Sequence, residues 1–250
     1  MSEDAGRTRR FFLARLPAAG ETASLPPAEA HHALHVLRLK SGAPVELFDG
    51  QGGSAEAAIA SVSHGAVTVT VLRALPPRRR QGPLIHLGFA QPKGKRLDWL
   101  LEKATELGAA SLTPVRFERS VAGAEGLAAA ARERWLGHCI AAAKQCGLDY
   151  LPRLEPPAGL EEFLEASRAT LPLLGDLGAD AILLKDAASR RAADQDVRIL
   201  VGPEGGLTPE ERSLSLSAGF LPVRLGTTTL RIETAAVALL AAARAVCSEG

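Results

Sequence analysis

The pattern of apolar and polar residues divides the chain at about residue 84. Before that point, three short segments alternate apolar and polar residues between glycines, which predicts β-strands. These segments are residues 43–50, 53–62 and 65–72. Ala30, Leu34 and Leu37 recur at helical spacing, so one short helix is expected ahead of the strands. Short strands at this spacing favour a small β-barrel.

After residue 84, apolar runs of strand length alternate with segments of helical length. The clearest helix covers residues 95–108, in which Leu97, Leu101 and Ala104 lie on one face before the chain reaches Gly108. Strands are expected at 84–90, 111–117, 170–177 and 197–201, helices at 126–146 and 160–166, and a weaker helix or loop near Asp186. This alternation predicts an α/β fold in which helices cover both faces of a parallel sheet.

The segment between the two patterns is PPRRRQGP, whose composition is typical of a linker. We therefore expect two domains, residues 1–76 and residues 84–250, joined by residues 77–83. A chain of 250 residues is long enough to bury a core in this arrangement.

Two C-terminal segments carry the strongest chemical signal: LVGPEGGLTPEE at 200–211 and RLGTTTLRIETAA at 224–236. Each predicts a strand, a tight turn and a helix, and Thr208 with Glu211 forms a capping box. In an open α/β sheet, such turns at the carboxyl ends of strands hold small ligands through backbone groups. A nucleotide-like ligand is the first hypothesis.

Known phosphate and nucleophile motifs do not fit these turns. GPEGG lacks both the Gly-Lys-Ser/Thr ending of a P-loop and the GxGxxG pattern, and Glu204 would repel a phosphate. A neutral or cationic ligand fits better. The chain has no GxSxG nucleophile elbow, and Cys146 is better explained as a core residue than as a nucleophile.

Composition adds limits on partners and compartment. Net charge is only +1, yet basic residues cluster at Arg7, Arg9 and Arg10, at residues 78–80, and at residues 93–96. These clusters favour an RNA-facing N-terminal half, although each could equally be a solvated tail or linker. Three cysteines without CxxC spacing favour a reduced, cytoplasmic protein without structural zinc.

Membrane and metal partners are not expected. No apolar run reaches the roughly 20 residues of a membrane helix, and the N-terminus does not have the pattern of a signal peptide. His31, His32 and His35 lie near Glu29, but no second group of ligands accompanies them, so we expect no metal site.

Five blocks of sequence together resemble one known family. They are HHALHVLRLKSGAPVELFDGQGG at 31–53, LDWLLEKATELGAASLTPVRFERSV at 97–121, AAAKQCG at 141–147, and the two C-terminal segments. In this order, across nearly the whole chain, they are similar to the RsmE family of 16S ribosomal RNA uracil-N3 methyltransferases, members of the SPOUT superfamily.

The resemblance implies a fold, a cofactor and a substrate. The expected fold is a PUA-like β-barrel over residues 1–76, followed by a SPOUT-type α/β domain with a deep trefoil knot. The implied cofactor is S-adenosyl-L-methionine, and the implied substrate is the N3 atom of uridine 1498 of 16S ribosomal RNA in the 30S subunit. The family acts as a homodimer, and the second subunit is expected to complete the RNA site.

The resemblance also assigns roles to residues of this chain. The residues expected to hold the cofactor are Leu173, Leu174, Gly175, Leu200, Val201, Gly202, Pro203, Glu204, Gly205, Leu225, Gly226, Thr228 and Leu230. Those expected to contact RNA are Arg9, Arg10, Arg38, Lys40, Arg119 and Lys144. For Arg38, local pairing is an equally good explanation.

Arg231 and Glu233 are the catalytic candidates. The Arg231 guanidinium could stabilise negative charge on the uracil oxygens or clamp a phosphate, or it could pair with Glu233. Glu233 could accept the N3 proton, but a position near a helix N-terminus lowers the basicity of a carboxylate. We therefore expect a structural role for Glu233, either orienting Arg231 or closing the dimer.

Two positions depart from the family pattern. Leu148 and Thr228 stand where family members commonly carry arginine, which removes positive charge from the expected RNA-facing rim. Arg119, Lys144 or Arg153 could compensate, or the target could differ. The alternatives are a SPOUT methyltransferase acting on another RNA, such as transfer RNA, and an RNA-binding ribosome-assembly factor that has lost catalysis.

Overall fold

The computed structural model describes residues 9–78, 80–120, 129–167 and 169–247. The chain forms two compact units, one of residues 1–80 with 143–151 and the other of residues 81–142 with 152–250. Arg7 and Arg79 of the basic clusters, and residues 126–128 of a predicted helix, lie outside the described residues.

The first unit is built on a five-stranded sheet. Its strands are β1 (Arg9–Phe12), β2 (Thr22–Ser24), β3 (Pro44–Phe48), β4 (Ser54–Ser63) and β5 (Ala66–Ala74), in the order β1-β3-β4-β5-β2. β1 runs parallel to β3, and the other neighbours are antiparallel. Helix α1 (Pro27–His31) continues into a π-helical turn (His32–Val36). The three predicted strands and the helix are confirmed, whereas β1 and β2 were not predicted.

The alternation of apolar and polar residues along the strands explains which side chains form the core of the first unit. Along β5, Val67, Val69 and Val71 are buried while the threonines between them are only half-buried. These valines pack in one cluster with Phe11 and Ile59, as expected for a sheet with one face turned toward the core. Among the described residues no pairing joins β1 to β2, so closure into a barrel stays a prediction.

The second unit contains an eight-stranded sheet in which all pairings are parallel. Its strands are β6 (Ile85–Phe89), β7 (Ser111–Arg116), β8 (Arg153–Leu154), β9 (Ala158–Gly159), β10 (Leu171–Gly175), β11 (Ile182–Leu183), β12 (Val197–Val201) and β13 (Leu221–Arg224). The order is β11-β13-β10-β12-β6-β7-β8, and β9 pairs with β7. The predicted parallel α/β sheet is therefore confirmed, and the trefoil knot stays a prediction.

Six helices accompany this sheet in the described residues: α2 (Lys95–Glu106), α3 (Ala129–Cys146), α4 (Leu160–Glu165), α5 (Leu184–Ala188), α6 (Pro209–Ser217) and α7 (Ile232–Cys247). The capping box at the start of α6 is confirmed: Thr208 Oγ1 accepts from the Glu211 N–H at 3.2 Å, and the Thr208 N–H donates to Glu211 Oε2 at 2.9 Å. No helix in the described ranges is both long and apolar enough to cross a membrane.

A small residue is required in the sheet at the point where α4 packs closely against it. Gly88 lies in β6, and a Cβ atom there would stand only 2.3 Å from the Phe163 ring of α4. An aromatic ring that is 2% exposed cannot move aside easily. This contact fixes the distance between α4 and the sheet.

Residues 143–151 are a part of the first unit that the sequence did not predict. The Arg10 guanidinium donates to the carbonyls of Ala143 and Leu148 at 3.1 and 3.0 Å, and it also pairs with Asp149 and Glu46. Burial raises the pKa of Asp149, while Arg10 and Arg78 act in the opposite direction. Arg10 thus ties this segment to the edge strand β1.

Candidate functional site

The carboxyl ends of β10, β12 and β13 open onto a cavity of about 640 Å³. β10 lies between the other two strands, so the three loops that follow meet at one edge of the sheet. The first turns of α7 close the far side through Ile232, Ala235 and Leu239. Both the location and the volume are typical of small-molecule sites in α/β proteins.

Most of the residues predicted to hold a cofactor line this cavity: Leu174, Gly175, Val201, Gly202, Pro203, Glu204, Leu225, Gly226, Thr228 and Leu230. Leu173, Leu200 and Gly205 are not among the lining residues. Leu173 and Leu200 are completely buried in β10 and β12. Alternation along a strand directs the Leu173 side chain to the face opposite that of Leu174, which lines the cavity.

Sequence reasoning missed several lining residues, including Asp176, Arg212 and the inner face of α7. For α7, the sequence does contain a pattern that could have identified its lining residues. Ile232, Ala235 and Leu239 recur at i, i+3 and i+7 directly after the second C-terminal turn, which is the spacing of one helical face.

One wall of the cavity is apolar. Leu225 and Leu230 are each 39% exposed, an unusual exposure for leucine, and they face the same space as Val201 and Leu239. At Gly226, no atom lies within 4 Å of where a Cβ would stand, so the backbone itself is accessible. A flat apolar ligand group could lie against the leucines while its polar edges meet the backbone.

The lining of the cavity also contains two carboxylates, Asp176 and Glu204. Asp176 accepts the N–H groups of Leu177 and Gly178 at 2.8 and 3.2 Å, and Arg212 Nε donates to it at 2.8 Å. Glu204 pairs with Arg96 at 3.4 Å. Each of these carboxylates is already paired with an arginine, and Arg212 and Arg224 also line the cavity, so its wall carries charges of both signs.

Arg231 and Glu233 stand at the start of α7, next to the cavity but not in its lining. Arg231 is exposed, whereas Glu233 is 7% exposed, and its Oε2 atom has no hydrogen-bond partner in the described part of the chain. Within those residues, the ion pair that we considered between the two side chains is not formed. The structure thus leaves the Arg231 guanidinium facing solvent.

The residues predicted to contact RNA fall into two groups. Arg38 and Lys40 are exposed in the first unit, and Arg9 is half-buried in β1. Arg119 is exposed in the second unit, and its Nη1 donates to the Gly205 carbonyl at 3.0 Å. These four residues keep positions from which a phosphate contact is feasible.

Arg10 and Lys144 do not suit the phosphate contacts predicted for them. Arg10 is buried and bound to Asp149, as described above. Lys144 Nζ donates to both oxygens of Glu29, at 2.9 and 3.0 Å, and stands 5.1 Å from the centre of the Phe11 ring. A phosphate would have to displace buried carboxylates, so we assign both side chains to the packing of the first unit.

The structure also shows where Leu148 and Thr228, the two departures from the family pattern, are located. The Leu148 carbonyl is one of the acceptors of Arg10, so its backbone belongs to the packing of the first unit. Thr228 is exposed on the cavity lining. Arg153, one candidate for compensation, is exposed and pairs with Glu155 at 3.3 Å.

No group of three metal-ligating side chains occurs in the ranges that the structure describes.

Two family profiles match the chain in the expected order. The RNA methyltransferase PUA domain matches residues 25–72, and the RNA methyltransferase domain matches residues 80–244. A curated relative, ribosomal RNA small subunit methyltransferase E of Mycobacterium bovis, is 30% identical over 241 residues, which are 93% of this chain and 89% of the relative.

Two solved structures that are similar to this chain are also described as methyltransferases. A protein of Legionella pneumophila described as a methyltransferase, in complex with its bound cofactor SAM, is 31% identical with a TM-score of 0.86, over 96% of this chain and 98% of that one. A ribosomal RNA small subunit methyltransferase E of Neisseria gonorrhoeae, bound to S-adenosyl methionine, is 32% identical with a TM-score of 0.84, over 94% and 96%. The chain therefore belongs to the ribosomal RNA small subunit methyltransferase E (RsmE) family, with an RNA methyltransferase domain and a PUA domain.

Proposed function

We propose that this chain transfers a methyl group from S-adenosylmethionine to the N3 atom of a specific uridine of 16S ribosomal RNA in the 30S subunit, uridine 1498 by family resemblance. The observation that carries the proposal is the cavity at the carboxyl ends of β10, β12 and β13. Two similar structures with this cofactor bound cover almost the whole chain. A ribosomal substrate would place the protein in the cytoplasm.

The residues of the cavity fit the cofactor in three respects. Leu225 and Leu230 offer an apolar surface to the adenine ring. The accessible backbone around Gly226 can hydrogen-bond to the edges of that ring. Glu204 and Asp176, each paired with an arginine, together with Arg212 and Arg224 give the wall groups of both signs, which suits a cofactor that carries a positive sulfur, an ammonium and a carboxylate.

The cofactor supplies an already activated methyl group, so the protein has to position the base and manage one proton. In our proposal Arg231 stabilises negative charge that develops on the uracil oxygens, because it is exposed and directly follows Leu230 of the cavity wall. Glu233 has a supporting role, in which its unpartnered Oε2 accepts a hydrogen bond from RNA or from a second subunit.

We further propose that the first unit docks RNA through Arg38 and Lys40, with Arg9 contributing, and that Arg119 of the second unit adds a phosphate contact. Contacts of this kind position a protein on the phosphate backbone without reading sequence, so the folded ribosomal surface would select the target. The homodimer and the trefoil knot implied by family membership are part of the same proposal. Light scattering tests the dimer, and tracing the chain in an experimental structure tests the knot.

The test of the proposed function is incubation with labelled S-adenosylmethionine and, separately, 30S subunits, naked 16S RNA and transfer RNA, followed by mapping of the modified base. We expect label at one uridine of 16S RNA, with 30S subunits as substrate. Label only in transfer RNA would support the alternative enzyme. Cofactor binding or 30S binding without transfer to any of the three RNAs would support the assembly factor.

Arg231→Ala tests the catalytic assignment within this function. We expect an unchanged dissociation constant for the cofactor and a loss of transfer to 30S subunits of about 10²–10³-fold, the usual cost of one donor to developing negative charge. Near-normal transfer by this variant would contradict the assignment of Arg231 without contradicting the proposed function.

A further inference from the structure

A second cavity of about 280 Å³ adjoins the first. Pro203, Glu204 and Ile232 line both cavities. Ligands in the two cavities would therefore contact the same three residues. A group in the smaller cavity would be held next to a group in the larger one.

The smaller cavity forms at the ends of β6, which neighbours β12 on the side away from β10, and of β7, the next strand beyond β6. Ala90, which directly follows β6, donates its N–H to the Val201 carbonyl at 2.8 Å and lies on the floor of the cavity. Ser120 comes from the loop after β7. The two cavities thus lie side by side along one edge of the sheet. The hydrogen bond between Ala90 and Val201 fixes the strand ends that line them.

The floor of this cavity is apolar and its rim carries hydrogen-bond donors. Ala90, Pro92 and Ile232 are buried and apolar. The rim contains the side chains of Gln91, Lys93, Arg96 and Ser120. A planar ring with acceptor atoms at its edge suits such a combination, whereas a phosphate would meet the apolar floor and the carboxylate of Glu204.

The donors on the rim differ in whether they already form hydrogen bonds or ion pairs with other residues of the chain. Arg96 pairs with Glu204 at 3.4 Å, and Ser120 Oγ accepts from the Phe117 N–H at 3.1 Å, which leaves the hydroxyl proton available. Lys93 is exposed and forms no ion pair with any described residue. Lys93 is thus the rim cation whose charge the protein does not already balance.

We infer that the smaller cavity holds the target uracil and that Lys93, with Gln91, contacts its oxygens. This inference rests on the proposed function. N3 lies between O2 and O4 on the Watson–Crick edge, so the base has to be unpaired and turned out of its stack to present N3 to a cofactor. A cavity of 280 Å³ accepts a single base and leaves the rest of the RNA outside.

The chemistry explains why a cation is needed at this place. N3 forms a bond to the methyl carbon as the methyl–sulfur bond breaks, the sulfur becomes a neutral thioether, and the N3 proton leaves to water. As the proton leaves, negative charge spreads onto O2 and O4. The Lys93 ammonium stabilises that charge and makes N3 a better nucleophile.

The matched test replaces Lys93 or Lys95 by methionine, which keeps the aliphatic stem and removes the charge. Lys95 is also exposed, and it begins α2 without lining the cavity. For Lys93→Met we expect an unchanged dissociation constant for S-adenosylmethionine by calorimetry and a single-turnover rate at saturating 30S subunits that is lower by about 10²–10³-fold. Lys95→Met should match the unchanged protein in both measurements.

A second readout does not depend on turnover. With 30S subunits that carry 4-thiouridine at the target position, ultraviolet crosslinking should attach the base to the peptide that contains Gln91 and Lys93. Crosslinks confined to other parts of the chain would overturn the inference.

Failure of the inference is distinguishable from failure of the proposed function. If the unchanged protein methylates uracil N3 and Lys93→Met does so equally fast, the inference is wrong and the function stands. If Lys93→Met only weakens 30S binding and reacts normally at saturation, Lys93 holds a phosphate, which also overturns the inference. If the unchanged protein methylates none of the RNAs, the proposed function fails, and the crosslink alone decides where the base binds.

Discussion

Two leucines of the larger cavity, Leu225 and Leu230, give a quantitative test of cofactor binding there. Each is 39% exposed in the structure. Complete burial of a leucine side chain is worth about 1.5–3 kcal/mol, so covering the exposed 39% with a ligand contributes about 0.6–1.2 kcal/mol per leucine. Truncating both to alanine should therefore cost about 1.2–2.3 kcal/mol, which raises the dissociation constant about 7- to 50-fold.

The assay is calorimetric titration of the Leu225→Ala/Leu230→Ala double variant with S-adenosylmethionine. Leu214→Ala is the matched control, because Leu214 is also 39% exposed but lies in α6 outside the cavity lining. Thermal unfolding without ligand checks that all variants are folded. An unchanged affinity in the double variant, or an equal loss in Leu214→Ala, would refute the placement of the cofactor against these leucines.

Three further predictions address the packing and the RNA surface. Arg10→Met leaves the buried Asp149 with only the exposed Arg78 as an ion-pair partner, at 3.6 Å, and should lower the free energy of unfolding in urea by about 3–5 kcal/mol. Arg73→Met, which removes an exposed ion pair, should change that free energy little, and equal effects would contradict the role of Arg10. Burial raises the pKa of the Cys139 thiol to about 11, so at neutral pH iodoacetamide should label it only after unfolding, and labelling of the native protein would show that the thiol is accessible. Arg38→Gln should weaken 30S binding and reduce the salt dependence of the affinity by about one phosphate contact, and an unchanged salt dependence would return Arg38 to a local role.

The sequence predicted the elements whose periodicity or caps are strong. Alternating valines in β5 and the capping box at Thr208 belong to this class, because local interactions determine them. The edge of the sheet at which the larger cavity opens was also predictable, since the turns that follow neighbouring parallel strands meet there. The family resemblance then added the cofactor, which periodicity alone does not specify.

What the sequence did not reveal depends on contacts between distant residues. Arg10 was interpreted as a surface cation because its partner Asp149 is 139 positions away along the chain. Lys144 is a similar case, because its partner Glu29 is also distant along the chain. Leu173 was predicted to hold the cofactor because a motif block does not show which face of a strand each residue occupies, and it does not line the cavity.

The smaller cavity escaped notice because its donors come from separate loops. Lys93 and Ser120 follow different strands, and they meet only because β6 and β7 are neighbours in the sheet. In the sequence, Lys93 was one member of a basic cluster. Lys93 shares the smaller cavity with Glu204 and Ile232, which also line the larger cavity.

The most direct test of the central claim is the identity of the nucleoside that the protein produces. 30S particles that lack the modification are incubated with the chain, with and without S-adenosylmethionine, and the nucleosides of the purified 16S RNA are analysed by mass spectrometry. We predict N3-methyluridine, at one position per particle and only when the cofactor is present. A methyl group on ribose, on C5 of uracil or on another base, or no methylation of 16S RNA, would contradict the claim.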